Sequence, residues 1–438
     1  MNPTSNQSHR SSTETKHQYS FLPLYIMSHL KTFSVGMMTT ATSNHLLLEK
    51  SIETGLASFI IGLYSAGFFL SALLVGRIAD KYGETAVLRY SAWLSILFGI
   101  ATLIPISNSS TLLLFSLARF GDGITNGIFW PTVQKFSIFA ERCGPDIKKK
   151  YMMGYNLSWN TGALFSMILG VIIVYFTTSN YSLFYINAIG VFLILIIAYG
   201  WFQPIPPISL GCSETISQSN EKSNEKSNEK SDEKSNENTP SQTTLGVETK
   251  LTTIPIMSTL MFLLIHSLTD GAISILVPLK LSALGYPSYW VFIVALMKSL
   301  IQTGASAYTS KLESKHLLTV LYVTIAAMPV LWFFFPIIPS LWGIGFLAIF
   351  TGFCQGSIYA LGMVLVSLKA QQQNSARPYT FFQATMSGGR MAGPWIVGLF
   401  IAGSSLYGGL YLIVGYGVCA ATQFYFKSRA KTTIESLS

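Results

Sequence analysis

The chain has 438 residues, of which 50% are hydrophobic and only 11% are charged. A soluble chain of average composition carries about 25% charged residues, so the composition excludes a large water-soluble enzyme and favours a membrane protein with many spans. The apolar content also excludes disorder of the whole chain. The four cysteines are far apart and form no metal-ligand or disulfide pattern. We therefore expect an all-α integral membrane protein without a metal or a cofactor.

Apolar stretches long enough to cross a bilayer, about 17–25 residues, recur from Phe21 onward. Residues 1–20 before them are polar and show no signal-peptide pattern, which predicts a cytoplasmic tail. The first set of predicted segments lies near 22–47, 55–79, 86–106, 111–139, 152–176 and 182–202. The second set lies near 254–279, 288–309, 317–336, 341–367, 379–402 and 406–426.

The region between the two sets differs in composition. The four-residue repeat SNEK recurs from Ser219 to Asn238, and apolar residues are almost absent, so no core can form. A flexible tether is the simpler interpretation, and partner docking or regulation is the alternative. The predicted domains are a polar tail at 1–20, a six-helix bundle at 21–203, a cytoplasmic linker at 204–252, a second six-helix bundle at 253–427 and a tail at 428–438.

The positions of the Lys and Arg residues predict the orientation. With the N-terminus inside, the tails and the inner connections contain 22 of the 28 basic residues, and the outer connections contain only Lys50 and Lys280. This asymmetry follows the positive-inside rule, so both termini are expected in the cytoplasm, with the protein in the plasma membrane. It also accounts for the net charge of +9 without nucleic acid, because the basic residues face anionic lipid headgroups.

The sequence GRIADKYG, at residues 76–83, ends the second segment. Gly76 permits close helix approach, and Gly83 permits a tight turn. Asp80 can cap a helix or pair with a cation, and Lys81 and Arg89 are the basic residues nearby. The turn resembles the signature loop of the major facilitator superfamily, G-x-L-A-D-R-x-G-R-K, with Glu-Thr in place of its second basic pair. The resemblance implies that the aspartate and its basic partners latch the outward-facing state.

The fourth segment contains RFGDGITNG at residues 119–127. It resembles the second motif of the same family, R-F-x-Q-G-x-G, with Asp122 where Gln is more common. Arg119 and Asp122 lie on one helix face and can neutralise each other. The resemblance implies a link between the arginine and proton coupling, and a purely structural ion pair is the alternative. We expect the following Trp130–Pro131 to interrupt the helix.

The eleventh segment contains GRMAGP at residues 389–394 and resembles the antiporter motif G-x-x-x-G-P-x-x-x-G of the family. That motif normally lies on the fifth segment, where this chain has two glycines but no proline. Small residues at a spacing of four allow close helix packing in lipid. Arg390 could capture an anion, pair with an acid or extend toward an interface. The residues expected to pack helices are Gly162, Gly170, Gly389, Gly393, Pro394 and Gly398.

The first and seventh segments show a weak internal repeat. SHLKTF at 28–33 aligns with IHSLTD at 265–270, which places His29 opposite His266. His266 and Asp270 are four residues apart on one helix face, and a histidine can relay protons near neutral pH. A neutral histidine hydrogen-bonded inside the bundle is the alternative. Such symmetry is typical of duplicated transporters.

Six charged residues lie within the predicted spans, apart from Arg77, Arg89 and Lys135 near the span ends, which are counted with the inner connections. Because unpaired charge in a membrane is costly, we expect all six to face a wet central cavity. The excess of bases favours a substrate with a carboxylate or phosphate, and a neutral lipophilic substrate is equally compatible with the many aromatic residues. The six residues are Lys31, Arg119, Lys298, Arg390, Asp122 and Asp270.

The family resemblance extends over nearly the whole chain. It implies twelve α-helices in two pseudo-symmetric six-helix bundles, and a proton-coupled secondary transporter of a small organic solute that works by alternating access, with efflux as one direction. Within the family the chain is similar to the twelve-span multidrug or sugar-phosphate branch. A transport-inactive sensor or an uncoupled uniporter is the alternative. The sequence has no catalytic cluster and no P-loop, so an enzyme or a nucleotide-driven pump is disfavoured. The expected partners are the solute, protons and lipid, with the chain as a monomer.

Overall fold

The computed structural model describes residues 20–142, 144–202, 256–309, 312, 314–373 and 377–401. Across these residues the regular structure is helical, and no β-strand occurs in them. The predicted linker, the twelfth predicted segment and nearly all of both predicted tails lie outside the described residues.

Eleven long α-helices fill the described ranges, and each of the first eleven predicted segments coincides with one of them. A π-helical turn, His45–Glu49, extends the first helix, and a 3-10 turn, Phe335–Ile337, follows the ninth. The helices are α1 Leu22–Asn44, α2 Thr54–Tyr82, α3 Glu84–Ala101, α4 Ser109–Arg142, α5 Pro145–Thr177, α6 Ser182–Gly200, α7 Ile256–Ala283, α8 Tyr289–Thr309, α9 Ser314–Phe334, α10 Leu341–Gln373 and α11 Arg377–Ile401.

Six of the described helices contain a stretch long and apolar enough to cross a membrane. The stretches are Thr54–Ala79, Lys149–Thr177, Ser182–Gly200, Leu263–Ala283, Tyr289–Thr309 and Leu341–Val366. Among the helices without such a stretch, α1, α4 and α11 carry charged side chains in their interiors. These helices therefore combine an apolar surface with groups suited to a polar site.

Local sequence signals define several helix ends. Gly83 separates α2 from α3 with φ +82°, a backbone conformation that favours glycine. At the start of α4, the Asn108 side chain accepts from the Thr111 N–H at 2.9 Å, and the Asn108 N–H donates to Thr111 Oγ1 at 3.0 Å. These reciprocal bonds satisfy donors that the first turn leaves unpaired. Pro145 starts α5, where its missing N–H costs nothing.

The expected interruption at Trp130–Pro131 is wrong, because α4 runs without a break through Pro131. A proline inside a membrane helix removes one backbone hydrogen bond. Neighbouring helices, hydroxyl side chains and small backbone adjustments can satisfy the freed carbonyl group. The proline therefore does not mark a helix end here.

The helices before and after the linker pack mainly within their own group. In the first group, α1 packs against α5 and α6, α2 against α4, and α3 against α4 and α6. In the second group, α7 packs against α11 and α10, and α10 also contacts α8 and α9. The two largest contacts between the groups are α2 with α11 and α5 with α8. The interior between the groups is thus bounded by helices of both.

Glycines let α2 and α4 approach until their backbones touch. A Cβ at Gly67 would overlap the carbonyl oxygen of Phe120, and one at Gly123 would overlap the carbonyl oxygen of Tyr64. Gly127 lies in the same way against Phe68. The opposing atoms belong to backbones and cannot rotate aside, so only glycine fits at these positions.

The glycines predicted on α11 lie in comparable contacts. A Cβ at Gly389 would overlap the carbonyl oxygen of Leu264 in α7, and one at Gly393 would overlap that of Leu268. Pro394 meets α7 at Gly271, where an added Cβ would lie 2.8 Å from the proline Cδ. The sequence GRMAGP thus follows the α7 backbone closely.

The other predicted packing glycines join further pairs of helices. A Cβ at Gly162 in α5 would overlap the carbonyl oxygen of His29 in α1, and one at Gly170 would overlap the ring of Phe292 in α8. At Gly398 in α11, a Cβ would lie 2.7 Å from Ser58 Cβ in α2. All six predicted packing residues therefore lie at helix contacts.

Candidate functional site

A cavity of about 250 Å³ lies between the two groups of helices. Its walls come from α1, α2, α4 and α5 of the first group and from α7, α8, α10 and α11 of the second. Aromatic, hydroxyl and charged side chains share the lining. Among the lining residues are Tyr64, Trp130, Trp159, Thr32, Thr351, Arg119, Asp270, Lys298 and Arg390.

One cluster of charges on the cavity wall centres on Asp270 of α7. Its carboxylate accepts hydrogen bonds from Lys298 Nζ of α8 and, at 3.0 Å, from Arg390 Nε of α11. The Asp270 side chain is 22% exposed and the Arg390 side chain 32% exposed. A single carboxylate thus pairs with two cations from two other helices, and the cluster keeps one positive charge in excess.

A second cluster centres on Asp122 of α4. Arg119 Nη1 donates to Asp122 Oδ2 at 2.8 Å, and Lys31 Nζ of α1 lies 3.8 Å from Asp122 Oδ1. The Arg119 guanidinium also lies over the ring of Tyr64, 4.8 Å from its centroid, in cation–π geometry. Arg119 and Asp122 are therefore brought together as their spacing on the helix predicts.

Lys31 is enclosed by polar groups of its own side of the protein. Its Nζ donates to Ser95 Oγ at 2.9 Å and to Thr125 Oγ1 at 3.0 Å. Both Lys31 and Asp122 are buried, and neither lines the cavity. The expectation that all six membrane charges face a wet cavity is therefore wrong for these two. Hydroxyl groups and charges of opposite sign stabilise these buried charges in place of the water that was expected.

The two aligned histidines occupy different surroundings. His29 Nδ1 is hydrogen-bonded to Thr161 Oγ1 at 3.0 Å, at the α1–α5 contact outside the cavity lining. His266 is buried, and its Nδ1 has no hydrogen-bond partner among the described residues.

The spacing of His266 and Asp270 places them on one helix face, but the hydrogen bonds that the Asp270 carboxylate accepts come from Lys298 and Arg390. Charge-assisted bonds from two cations are stronger than one from a neutral imidazole, which explains the preference. Of the three alternatives for Arg390, the structure shows pairing with an acid.

The GRIADKYG turn contacts the second group of helices. Gly76 faces Thr380 of α11, whose Cγ2 would lie 3.7 Å from a Cβ at that position. Lys81 lies over the ring of Tyr82 at 5.1 Å. The side chain of Asp80 lies outside the described part of the structure, so its latch role stays a prediction.

Arg89 binds the end of α6. Its Nε donates to the carbonyl oxygen of Ala198 at 3.0 Å, and its Nη2 donates to that of Phe202 at 3.3 Å. The guanidinium also lies 5.2 Å from the centroid of the Tyr199 ring. A cation here satisfies carbonyl groups that the end of a helix leaves unpaired. Arg89 thus binds the end of α6, and its predicted latch role with Asp80 stays a prediction.

The sequence did not reveal a polar network at the end of the cavity near the π-helical turn. Asn44 Nδ2 donates to Asn180 Oδ1 at 3.1 Å and to the carbonyl oxygen of Ser288, before α8, at 3.3 Å. Asn180 Nδ2 donates to Glu49 Oε1 at 2.8 Å, and His45 Nδ1 lies 2.5 Å from Glu49 Oε2. His45 and Glu49 are four residues apart, but the contacts that add Asn180 and Ser288 to the network form only where three connections converge, and no local pattern marks those.

The network sets the charge state of Glu49. Burial raises the pKa of its carboxyl, and the hydrogen bonds from His45 and Asn180 together lower it more, so the pKa lies below its usual value. Glu49 is therefore ionised in the folded protein at neutral pH and supports contacts that connect the two groups of helices.

Comparisons with known proteins agree with the helical architecture. A family model described as Major Facilitator Superfamily matches residues 18–394. A search of curated proteins found no relative that matches the chain.

Solved structures of transporters share the fold. The chain is similar to a POT family transporter in complex with a thioalcohol-conjugated peptide, with a TM-score of 0.65, 14% identity, and coverage of 93% of this chain and 96% of that one. For the POT family transporter PepTSo, the TM-score is 0.65 and the identity 12%, with coverage of 94% and 99%. A peptide transporter POT bound to sulfate has a TM-score of 0.62 at 14% identity, with coverage of 93% and 94%. At such identities the likeness concerns the fold.

Proposed function

The chain belongs to the Major Facilitator Superfamily, and we propose that it is a secondary transporter that moves a small organic solute across the membrane by alternating access. The family match confirms the resemblance found in the motifs, and the chain is an integral membrane protein of a transporter family. We also propose twelve spans in two six-helix bundles. The packing of the described helices into two groups supports that arrangement.

The observation that carries this proposal is the cavity itself. Charged and aromatic side chains from both groups of helices line one volume. Contacts between the groups occur at both ends of it, at Trp159 with Tyr359 and at Asn44 with Ser288. A solute bound there can reach either side once one set of contacts opens, which is the essence of alternating access.

We assign proton coupling to Asp270 ahead of Asp122. Asp122 and Asp270 are the two acids within the predicted spans. Of the two, only Asp270 lines the cavity. Desolvation favours a neutral carboxyl, and nearby cations favour the ionised form. Its two cations lie on α8 and α11, so a movement of α7 relative to either helix would change that balance and take up or release a proton.

The test is flux in proteoliposomes, with a solute found by a ligand-induced thermal-shift screen. Under an imposed pH gradient, Asp270→Asn should lose accumulation while exchange at equal pH survives. The matched control is Glu53→Gln, which neutralises an exposed acid at the start of α2. If Asp270→Asn and Asp122→Asn both retain gradient-driven accumulation, proton coupling is wrong and a uniporter is the better interpretation. If no solute is moved at all, the protein is a sensor rather than a transporter.

We further propose that both termini and the SNEK linker lie in the cytoplasm of a cell whose plasma membrane holds the protein. The basis is the 22 basic residues on one side against 2 on the other. Protease added to sealed right-side-out vesicles should leave the linker intact. Cleavage in the linker without lysis would overturn this orientation.

A further inference from the structure

The charged lining of the cavity is strongly biased toward cations. Of the charged residues that line it, three are basic, Arg119, Lys298 and Arg390, and one is acidic, Asp270. The two arginines cannot lose their protons in a protein, so their charge is permanent. Excess charge in a partly buried site is costly unless a counter-charge is close to it. The resting cavity is therefore suited to an anion.

The arginines also keep donors available. A guanidinium has five N–H donors in a planar fork that matches carboxylate and phosphate. Arg390 donates to Asp270 through Nε, which leaves its two NH2 groups for other acceptors. Arg119 donates through Nη1 to Asp122, and its Nε is buried without a hydrogen-bond partner among the described residues. Arg390, whose side chain is 32% exposed, therefore has donors available for a further anionic partner, whereas Arg119, at 3% exposed, contributes its charge from the buried side of the wall.

The rest of the wall suits an apolar body. Tyr64, Trp130 and Trp159 line the same cavity as the arginines. Aromatic rings bury large apolar areas and remain compatible with polar neighbours. A cavity of about 250 Å³ limits the ligand to a small molecule.

We propose that the cavity binds a small organic anion through its carboxylate or phosphate group. Arg390 and Lys298 hold this group, and the positive charge of Arg119 adds to the attraction. The inference that this anion is the transported solute rests on the proposed function, whereas its binding does not. Asp270 already neutralises part of the charge of Arg390 and Lys298, so it acts as an internal competitor of the ligand. A ligand that displaces it would leave its carboxylate without cations, which favours protonation and would link binding to proton uptake.

The probes are two aromatic anions with neutral counterparts, phenylacetate with phenylacetamide and phenyl phosphate with phenol. Binding to the purified full-length protein is measured by calorimetry at neutral pH and constant ionic strength, without any gradient. The phenylacetate and phenyl phosphate arms distinguish a carboxylate site from a phosphate site. The variants are Arg390→Gln, Asp270→Asn and Arg390→Lys, which keeps the charge. Lys149→Gln, at an exposed cation near the start of α5, is the control.

We expect an anion to bind while its neutral counterpart does not. Arg390→Gln should weaken binding by about tenfold or more, Arg390→Lys by less, and Lys149→Gln not at all. Asp270→Asn should strengthen binding, because it removes the carboxylate that competes with the ligand for Lys298 and Arg390. Should Arg390→Gln fail to fold, the anion affinity of Asp270→Asn alone tests the inference.

Three outcomes overturn the inference. The first is that neither anion binds, and the second is that the neutral counterparts bind equally well. The third is that Arg390→Gln and Asp270→Asn, in so far as they fold, bind the anion with the parental affinity. Failure of the proposed function has a different signature. Anion binding without flux in proteoliposomes refutes transport and retains the anion site. Flux of a neutral solute without anion binding retains transport and refutes the anion site.

Discussion

Trp159 of α5 and Tyr359 of α10 stack with nearly parallel rings, whose centroids are 5.3 Å apart and whose planes lie at 6° to each other. Trp159 is also the cavity-lining residue nearest the start of α5. Beside it, Asn160 Oδ1 accepts a hydrogen bond from Thr303 of α8 at 3.0 Å. The stack therefore joins the two groups of helices at one end of the cavity.

Removing this stack should favour the state that is open at that end. Aromatic pairs contribute about 0.5–1.5 kcal/mol beyond burial, so Tyr359→Ala should shift the conformational equilibrium several-fold. The measurement is the rate at which a membrane-impermeant thiol reagent labels a cysteine placed at Ser299, which lines the cavity, in a variant without native cysteines. Tyr359→Phe keeps the ring and should label at the parental rate. Equal labelling of the Ala and Phe variants would exclude a gating role.

Loss of the charge on Asp122 should destabilise the protein strongly. Asp122→Asn leaves Lys31 and Arg119 buried without an acid, and removal of one partner of a buried ion pair costs about 3–5 kcal/mol. Lys31→Met in the same protein should recover part of that loss, since one of the two unpaired cations is then gone. The measurement is the free energy of unfolding in mixed micelles. Strictly additive effects of the two substitutions would show that these charges do not interact.

Gly123 should tolerate no larger residue. Gly123→Ala places a Cβ against the backbone of Tyr64, and such overpacking costs about 1–3 kcal/mol. Gly304→Ala in α8 is the matched control, because nothing lies within 4 Å of a Cβ there. It should be neutral or stabilising by up to about 1 kcal/mol. The measurement is the melting temperature of both variants. Equal melting temperatures would contradict the backbone contact between α2 and α4.

The contribution of Glu49 to stability should depend on pH. The pKa of this carboxyl is lower in the folded protein than the ordinary value of about 4.3, so folding favours its ionised form. That stabilisation is complete above the ordinary pKa and is lost as the pH falls through the folded pKa. Glu49→Gln should therefore lower the melting temperature at neutral pH, and its difference from the parent should shrink in acid.

Glu53→Gln is the control for this measurement, because Glu53 makes no side-chain cap bond at the start of α2. Its melting temperature should follow that of the parent throughout the titration. A constant difference between Glu49→Gln and the parent at every pH would disprove the linkage.

The helices and the charged residues could be predicted from the sequence because both are local properties. A long apolar stretch forms a helix in lipid wherever it packs, and three-residue spacing places Arg119 beside Asp122 in any α-helix. The partners of Asp270 could not be predicted in this way. Lys298 and Arg390 are 28 and 120 positions away, and their meeting depends on the rotation and depth of three helices, which no spacing in the sequence records.

The burial of Lys31 illustrates the same limit. A lysine inside a predicted span indicates a polar surrounding but does not specify whether water or protein supplies it. Here Ser95 of α3 and Thr125 of α4 supply it, 64 and 94 positions away. Nothing in the sequence distinguishes Ser95 and Thr125 from its many other Ser and Thr residues.

The surplus of bases over acids inside the predicted spans also leads us to expect that the proposed transport cycle depends on voltage. Moving one elementary charge across a potential of 100 mV changes the free energy by about 2.3 kcal/mol. The clusters around Asp122 and Asp270 each hold two bases and one acid, so the empty protein presents unbalanced charge to the electric field. A bound anion cancels part of it, and the empty and loaded forms then respond differently to the same potential. Transient currents from reoriented empty protein would report this difference directly, before any solute is identified.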